Sequence, residues 1–63
     1  MRITMRAARV NAKLTQAEAA KRIGVHKKTL WSWENSKTVP KTDKIPIICA
    51  TYKRTYDEIQ WVH

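Results

Sequence analysis

The sequence is poor in the residues that most small binding and catalytic motifs require. It holds one glycine, one cysteine, two histidines, two prolines and five acids among 63 residues. A single glycine excludes the glycine-rich loops that cradle phosphates. A single cysteine excludes a disulfide-stapled scaffold, so the chain must fold by packing alone. One cysteine in a small basic protein also fits a reducing cytosol. Cys49, His26 and His63 have neither the close spacing of zinc ligands nor an evident third partner for a nucleophilic pair. No metal, cofactor or enzymatic activity is therefore expected. No apolar run approaches the ~20 residues that cross a bilayer. The opening MRITMRAARV is basic but lacks the continuous apolar block of a signal peptide. These features give a cytoplasmic expectation without a membrane. Alternating β-branched runs are also missing, which argues against a sheet protein.

What the chain does have is positive charge, and it is unevenly placed. The net charge is +8. Residues 1–42 carry ten lysines and arginines against Glu18 and Glu34, whereas residues 43–63 are neutral overall. A one-sided positive field attracts a polyanion, most often nucleic acid. The length allows a single domain over 1–63, with a thin core.

The apolar periodicity is helical, and it predicts an all-α bundle of five short helices. Met5, Ala8 and Ala12 recur at helical spacing, so a first helix runs from about Ile3 to Lys13. Thr15 with Glu18 three residues later forms a capping box that opens a second helix, Gln16 to about Ile23. Ala17, Ala20 and Ile23 form its inner stripe, with Ala19 alongside, and Gly24 ends it. After GVH, a third helix fits Lys27 to Glu34. Two short helices joined by a tight turn containing glycine form a helix-turn-helix. A fourth helix starts near Lys44, with Asp43 as its N-cap, Pro46 in its first turn and Ile45, Ile48, Cys49 and Tyr52 on its apolar stripe. Thr55 and Glu58 make a second capping box. They predict a fifth helix, Tyr56 to Trp61, that lays Ile59 and Tyr56 on the core. The candidate core is Met5, Ala20, Ile23, Leu30, Trp33, Ile48, Tyr52 and Ile59.

The stretch HKKTLWSWENSK, His26 to Lys37, mixes lysine with tryptophan. At about 100° per residue, Thr29, Leu30 and Trp33 share one face of the third helix. Lys27, Lys28, Trp31 and Ser32 share the opposite one. Trp33 thus joins Leu30 inside, and Trp31 stands outward among the lysines. In a helix-turn-helix the N-terminal part of the second helix enters the major groove. There lysine can donate to guanine O6 and N7. Lys27 and Lys28 are accordingly candidates for base or phosphate contact; the plain alternative is a solvated face.

From Leu14 to Pro40, LTQAEAAKRIGVHKKTLWSWENSKTVP resembles the DNA-binding domain of the Cro and phage-repressor (Xre-type) helix-turn-helix family. The resemblance rests on Gln16 opening the second helix, Ala20, Gly24-Val25 in the turn, Thr29-Leu30, Trp33-Glu34 and Lys37. It implies a lambda-repressor-like bundle that binds double-stranded DNA. Lys27, Lys28 and Ser32 would read bases, and Gln16, Asn35 and Lys37 would hold phosphates. Arg9 and Glu34 would form a partly buried ion pair tying the first helix to the third. The implied protein is a bacterial or phage regulator at the nucleoid, binding a palindromic operator as a weak homodimer that forms on DNA.

The sequence departs from the family pattern twice. His26 stands where the family has a Ser or Thr cap, and histidine caps poorly. It either contacts a base or phosphate or serves a structural role. Ser36 replaces a glycine that would tolerate positive φ, a conformation that Asn35 could take instead. Trp31 has no family role. It could pack on a thymine methyl among the base-reading residues, stack on a sugar, join a protein-docking patch, or lie over a lysine stem. A different class of function is a small helical module that docks another protein, such as an antitoxin, excision factor or inhibitor. A docking helix would show a wider apolar face than the third helix does. RNA binding has little support, because sheet aromatics and arginine-rich segments are both missing.

Overall fold

A computed structural model describes residues 2–61. Its elements in chain order are β1 (Ile3–Thr4), α1 (Met5–Asn11), α2 (Gln16–Ile23), α3 (Lys27–Glu34), α4 (Ile45–Tyr52) and β2 (Ile59–Gln60). Single 3-10 turns over Thr42–Lys44 and Tyr56–Glu58 precede α4 and β2. The described residues are mostly helical, with four α-helices among them rather than five.

Each boundary has a local cause. The first helix begins at Met5, not Ile3, because Thr4 is extended and its Oγ1 accepts the Ala7 N–H at 3.0 Å. That leaves Ile3 and Thr4 free to pair. The helix stops at Asn11 because Lys13 turns left-handed at φ 61°. In α2 the capping box is complete: the Glu18 N–H donates to Thr15 Oγ1 at 3.1 Å, and the Thr15 N–H donates to Glu18 Oε1 at 2.9 Å. Gly24 ends α2 at φ 90°, where its missing Cβ avoids strain.

Asp43 does not cap α4. The preceding turn already brings Lys44 into right-handed helical geometry, whereas an N-cap side chain works from an extended residue. Pro46 does occupy the first turn, where its missing N–H is harmless.

The expected fifth helix is replaced by one turn and a strand. The Thr55 N–H and hydroxyl both donate to Glu58 Oε1, at 2.9 and 3.2 Å, which closes the turn. Ile59 then extends and pairs in parallel with Ile3, and Gln60 pairs with Thr4. A further helical turn would carry the β-branched Ile59 away from this fully buried position. Tyr56, expected on the core, is exposed and stacks on Trp61 with ring centroids 5.7 Å apart. Trp61 Nε1 donates to the Tyr56 carbonyl at 3.0 Å.

The core gathers Met5, Ala8, Ala19, Ala20, Ile23, Leu30, Trp33, Ile48, Tyr52 and Ile59. The small side chains of α2 let α3 and α4 pack close against it. Ala17 is exposed, because the buried stripe of α2 runs through Ala19, Ala20 and Ile23 instead. No helix among the described residues is long and apolar enough to cross a membrane.

Candidate nucleic-acid interface

Two short helices position the site. α2 ends at Ile23 and α3 starts at Lys27, so the pair turns within a few residues. Leu30 and Trp33 bury one side of α3, which sets its opposite side outward. His26, Lys27 and Lys28 are exposed and Ser32 is half-buried. Together with Thr29 they line one shallow concavity on the outer face. It holds two lysines and no acid, so its field suits an anion.

A partly buried polar cluster fixes the orientation of α3. Arg9 Nε donates to Glu34 Oε2 at 2.8 Å, and Arg9 Nη2 donates to Oε1 at 3.3 Å. The same guanidinium donates through Nη1 to the Leu14 carbonyl at 2.9 Å. Gln16 Nε2 donates to Glu34 Oε1 at 3.0 Å. Both ionic side chains are withdrawn from water, Arg9 to 11% exposure and Glu34 to 2%. One carboxylate therefore joins the end of α3 to α1 and to the first residue of α2. Bidentate arginine pairing gives this joint directional rigidity as well as energy. Tyr52 is buried close enough to this pair to feel both charges. Burial, reinforced by the Glu34 charge, pushes the Tyr52 phenol well above its ordinary value. Its hydroxyl finds no hydrogen-bond partner among the described residues.

The end of α3 is less regular. The Asn35 N–H and side-chain Nδ2 both donate to the Trp31 carbonyl at 2.9 Å. Ser36, rather than Asn35, takes the left-handed conformation, at φ 61°. One Asn35 Nδ2 hydrogen holds the last turn, the other is left free among the described residues, and the left-handed position falls on the next residue. The Lys37 N–H then returns to the Ser32 carbonyl at 2.9 Å. At the other end, His26 is the N-cap residue and makes no side-chain capping bond.

A helix-turn-helix family model matches residues 5–59. The chain belongs to the Cro-like, Xre-type helix-turn-helix family. No curated protein and no solved structure matches it. This helix-turn-helix protein is thus a DNA-binding protein of a family of regulators, and duplex DNA is its partner class.

The base-reading candidates separate into two groups. His26, Lys27, Lys28 and Ser32 lie together. Trp31, 44% exposed, lines a different groove with Arg6, Arg9, Gln16, Glu34 and Asn35. Of the phosphate candidates, Gln16 and Asn35 border this second groove. Lys37 lies beyond the Ser36 bend and is exposed. Arg6 was missed by sequence reasoning. Its spacing of three from Arg9 on α1 was the signal that could have placed it on the same side. Cys49 is half-buried, and burial pushes its thiol pKa up. His63 lies outside the described residues.

Proposed function

We propose that this protein is a sequence-specific transcriptional regulator of the Cro or phage-repressor type, which inserts α3 into the major groove of its operator. The observation that carries this reading is the lysine concavity on α3, held in fixed orientation by the Arg9–Glu34–Gln16 cluster. Lys27, Lys28 and Ser32 read base edges, and His26 extends that contact at the start of the helix. Gln16, Asn35 and Lys37 take backbone phosphates, so affinity and register come from the backbone and sequence choice from α3. The single domain acts as a dimer on a palindromic operator, its half-sites about one helical turn apart. The exposed Val39, in an apolar hollow with Val25, Trp33 and Thr38, and the Tyr56–Trp61 stack are the surfaces that support such pairing. The working location is the nucleoid of a bacterial or phage-infected cell.

The test is duplex binding measured across a random operator library at two salt concentrations. Selection of a defined sequence supports the reading. Equal, salt-sensitive binding to every duplex leaves only charge attraction and overturns it. Lys28→Ala is expected to relax preference at one base pair and to cost about 1–3 kcal/mol there. A uniform loss across all sequences would make Lys28 a phosphate contact instead.

A further inference from the structure

We propose that Trp31 is a DNA-backbone anchor acting with Arg6, and not a base reader. This rests on the DNA-binding reading above and assigns a role to the one outward residue of α3 that the family pattern leaves without any. The groove that Trp31 lines lies between α1, the start of α2 and the end of α3. It is separate from the concavity of Lys28 and Ser32. On α3, Trp31 lies about 60° from Lys28 and about 100° from Ser32, turned toward the Glu34 side. Lys27 is about 40° away and Glu34 about 60° on the other side, so Trp31 stands at the edge of the lysine face, where that face meets the flank of the helix.

The chemistry of that flank suits phosphate. The only acid in the groove is Glu34, and its carboxylate already accepts three donors and is almost fully buried. What remains available is a set of donors. Arg6 is exposed and makes no ion pair among the described residues. The Trp31 indole N–H has no hydrogen-bond partner among them either, unlike that of Trp61, which is bonded to a carbonyl. Gln16 keeps a second amide N–H and sits at the first position of α2, where helix dipole and free backbone N–H groups favour an anion. In a helix-turn-helix the first helix of the motif crosses the DNA backbone while the second enters the groove. A groove walled by the start of the first and the flank of the second therefore lies along the sugar–phosphate chain. The indole face packs against deoxyribose, its N–H reaches a phosphate oxygen, and Arg6 closes the other side. The two hydrogen bonds that Asn35 donates to the Trp31 carbonyl hold the turn that carries the indole.

The experiment compares wild type, Trp31→Ala, Trp31→Phe, Arg6→Ala and Lys28→Ala on the preferred duplex, on its single-base-pair variants and on random duplex, each over a salt series. Trp31→Ala should weaken binding roughly tenfold on every duplex while leaving the ranking of base pairs unchanged. Trp31→Phe, which keeps a ring but loses the N–H, should fall between Trp31→Ala and wild type. Arg6→Ala should reduce the slope of log K against log salt by about 0.9, one phosphate. Since Trp31 and Arg6 are exposed, thermal melting should be unchanged in all three variants. A Trp31→Ala loss confined to one base pair, or no loss at all, overturns the anchor assignment while leaving DNA binding intact. Failure of the wild type to bind any duplex overturns the underlying reading itself, and Lys28→Ala then has no preference to relax.

Discussion

Among the polar residues, the one whose loss should hurt most is Arg9. It is mostly buried, and it neutralises a carboxylate that is 2% exposed while also donating to the Leu14 carbonyl. Removing one partner of a buried ion pair leaves an uncompensated charge. Arg9→Ala is therefore expected to destabilise by about 3 kcal/mol, read as a fall in the urea midpoint. For a domain this small that is a large share of the total. Arg9 and Glu34 stand far apart in the chain, and periodicity gives no sign that they meet; the resemblance to the family is what suggested it. Gln16 bonding to Glu34 was not legible at all, because hydrogen bonding between side chains on separate helices leaves no pattern in the sequence.

Among the elements, α3 is fitted to its surroundings more than to its own termini. His26 supplies no capping bond, and Ser36 carries positive φ after its last turn. A left-handed residue other than glycine costs roughly 1–2 kcal/mol, part of which glycine returns as greater unfolded-state entropy. Ser36→Gly is thus expected to raise stability by about 0.5–1 kcal/mol, measured by thermal melting. No gain would mean that the bend relaxes without it. The termini of α2 and of the last turn behave differently, because each uses a glutamate. Glu18 and Glu58 have pKa values below the ordinary 4.5, chiefly because they accept the backbone N–H of Thr15 and Thr55. A depressed native pKa means that these carboxylates stabilise the fold above the ordinary value. That contribution is lost as pH falls from about 4.5 through the lowered native values. Replacing both by Gln keeps a capping acceptor but removes the titration. The double variant should show a flatter stability profile below pH 4.5 than the wild type in acid titration followed by circular dichroism.

Helix existence was readable from apolar spacing for all four α-helices, and from a capping box for α2 alone. The same signals failed after Thr55. Its pairing with Glu58 says where a turn begins, and nothing local says whether a helix or a strand follows. The choice was made by Ile3, a partner at the other end of the chain. Ala17 failed for a related reason. A stripe of alanines is ambiguous by about one helical position until a neighbouring helix selects which of them to cover.

Over the whole molecule, one continuous core is built from every element except the 3-10 turns and β1, with Ile3 packed against its edge. Because Ile59 belongs to that shared core, opening of the strands beyond brief fraying exposes the helices as well. Ile59→Ala is expected to cost about 2–5 kcal/mol and to lower the midpoint of a single cooperative transition. A biphasic transition, with β2 lost before the helices, would show instead that the strand is an accessory. DNA binding should then track stability only through the orientation of α3, since neither strand borders the concavity or the groove.

The parallel pairing of Ile3 with Ile59 also has a kinetic meaning. It joins residues nearly the full described chain apart, so its loop-closure entropy is large and cannot be recovered until the intervening helices have compacted. The clasp should be the last contact to form and the first to open. Amide protons of β1 and β2 then exchange through brief opening of the ends, while those of α2 and α3 wait for global unfolding. The surface proposed to meet DNA is carried by the slow-opening part of the molecule, and fraying is displaced to the opposite ends of the chain, which border neither the concavity nor the groove.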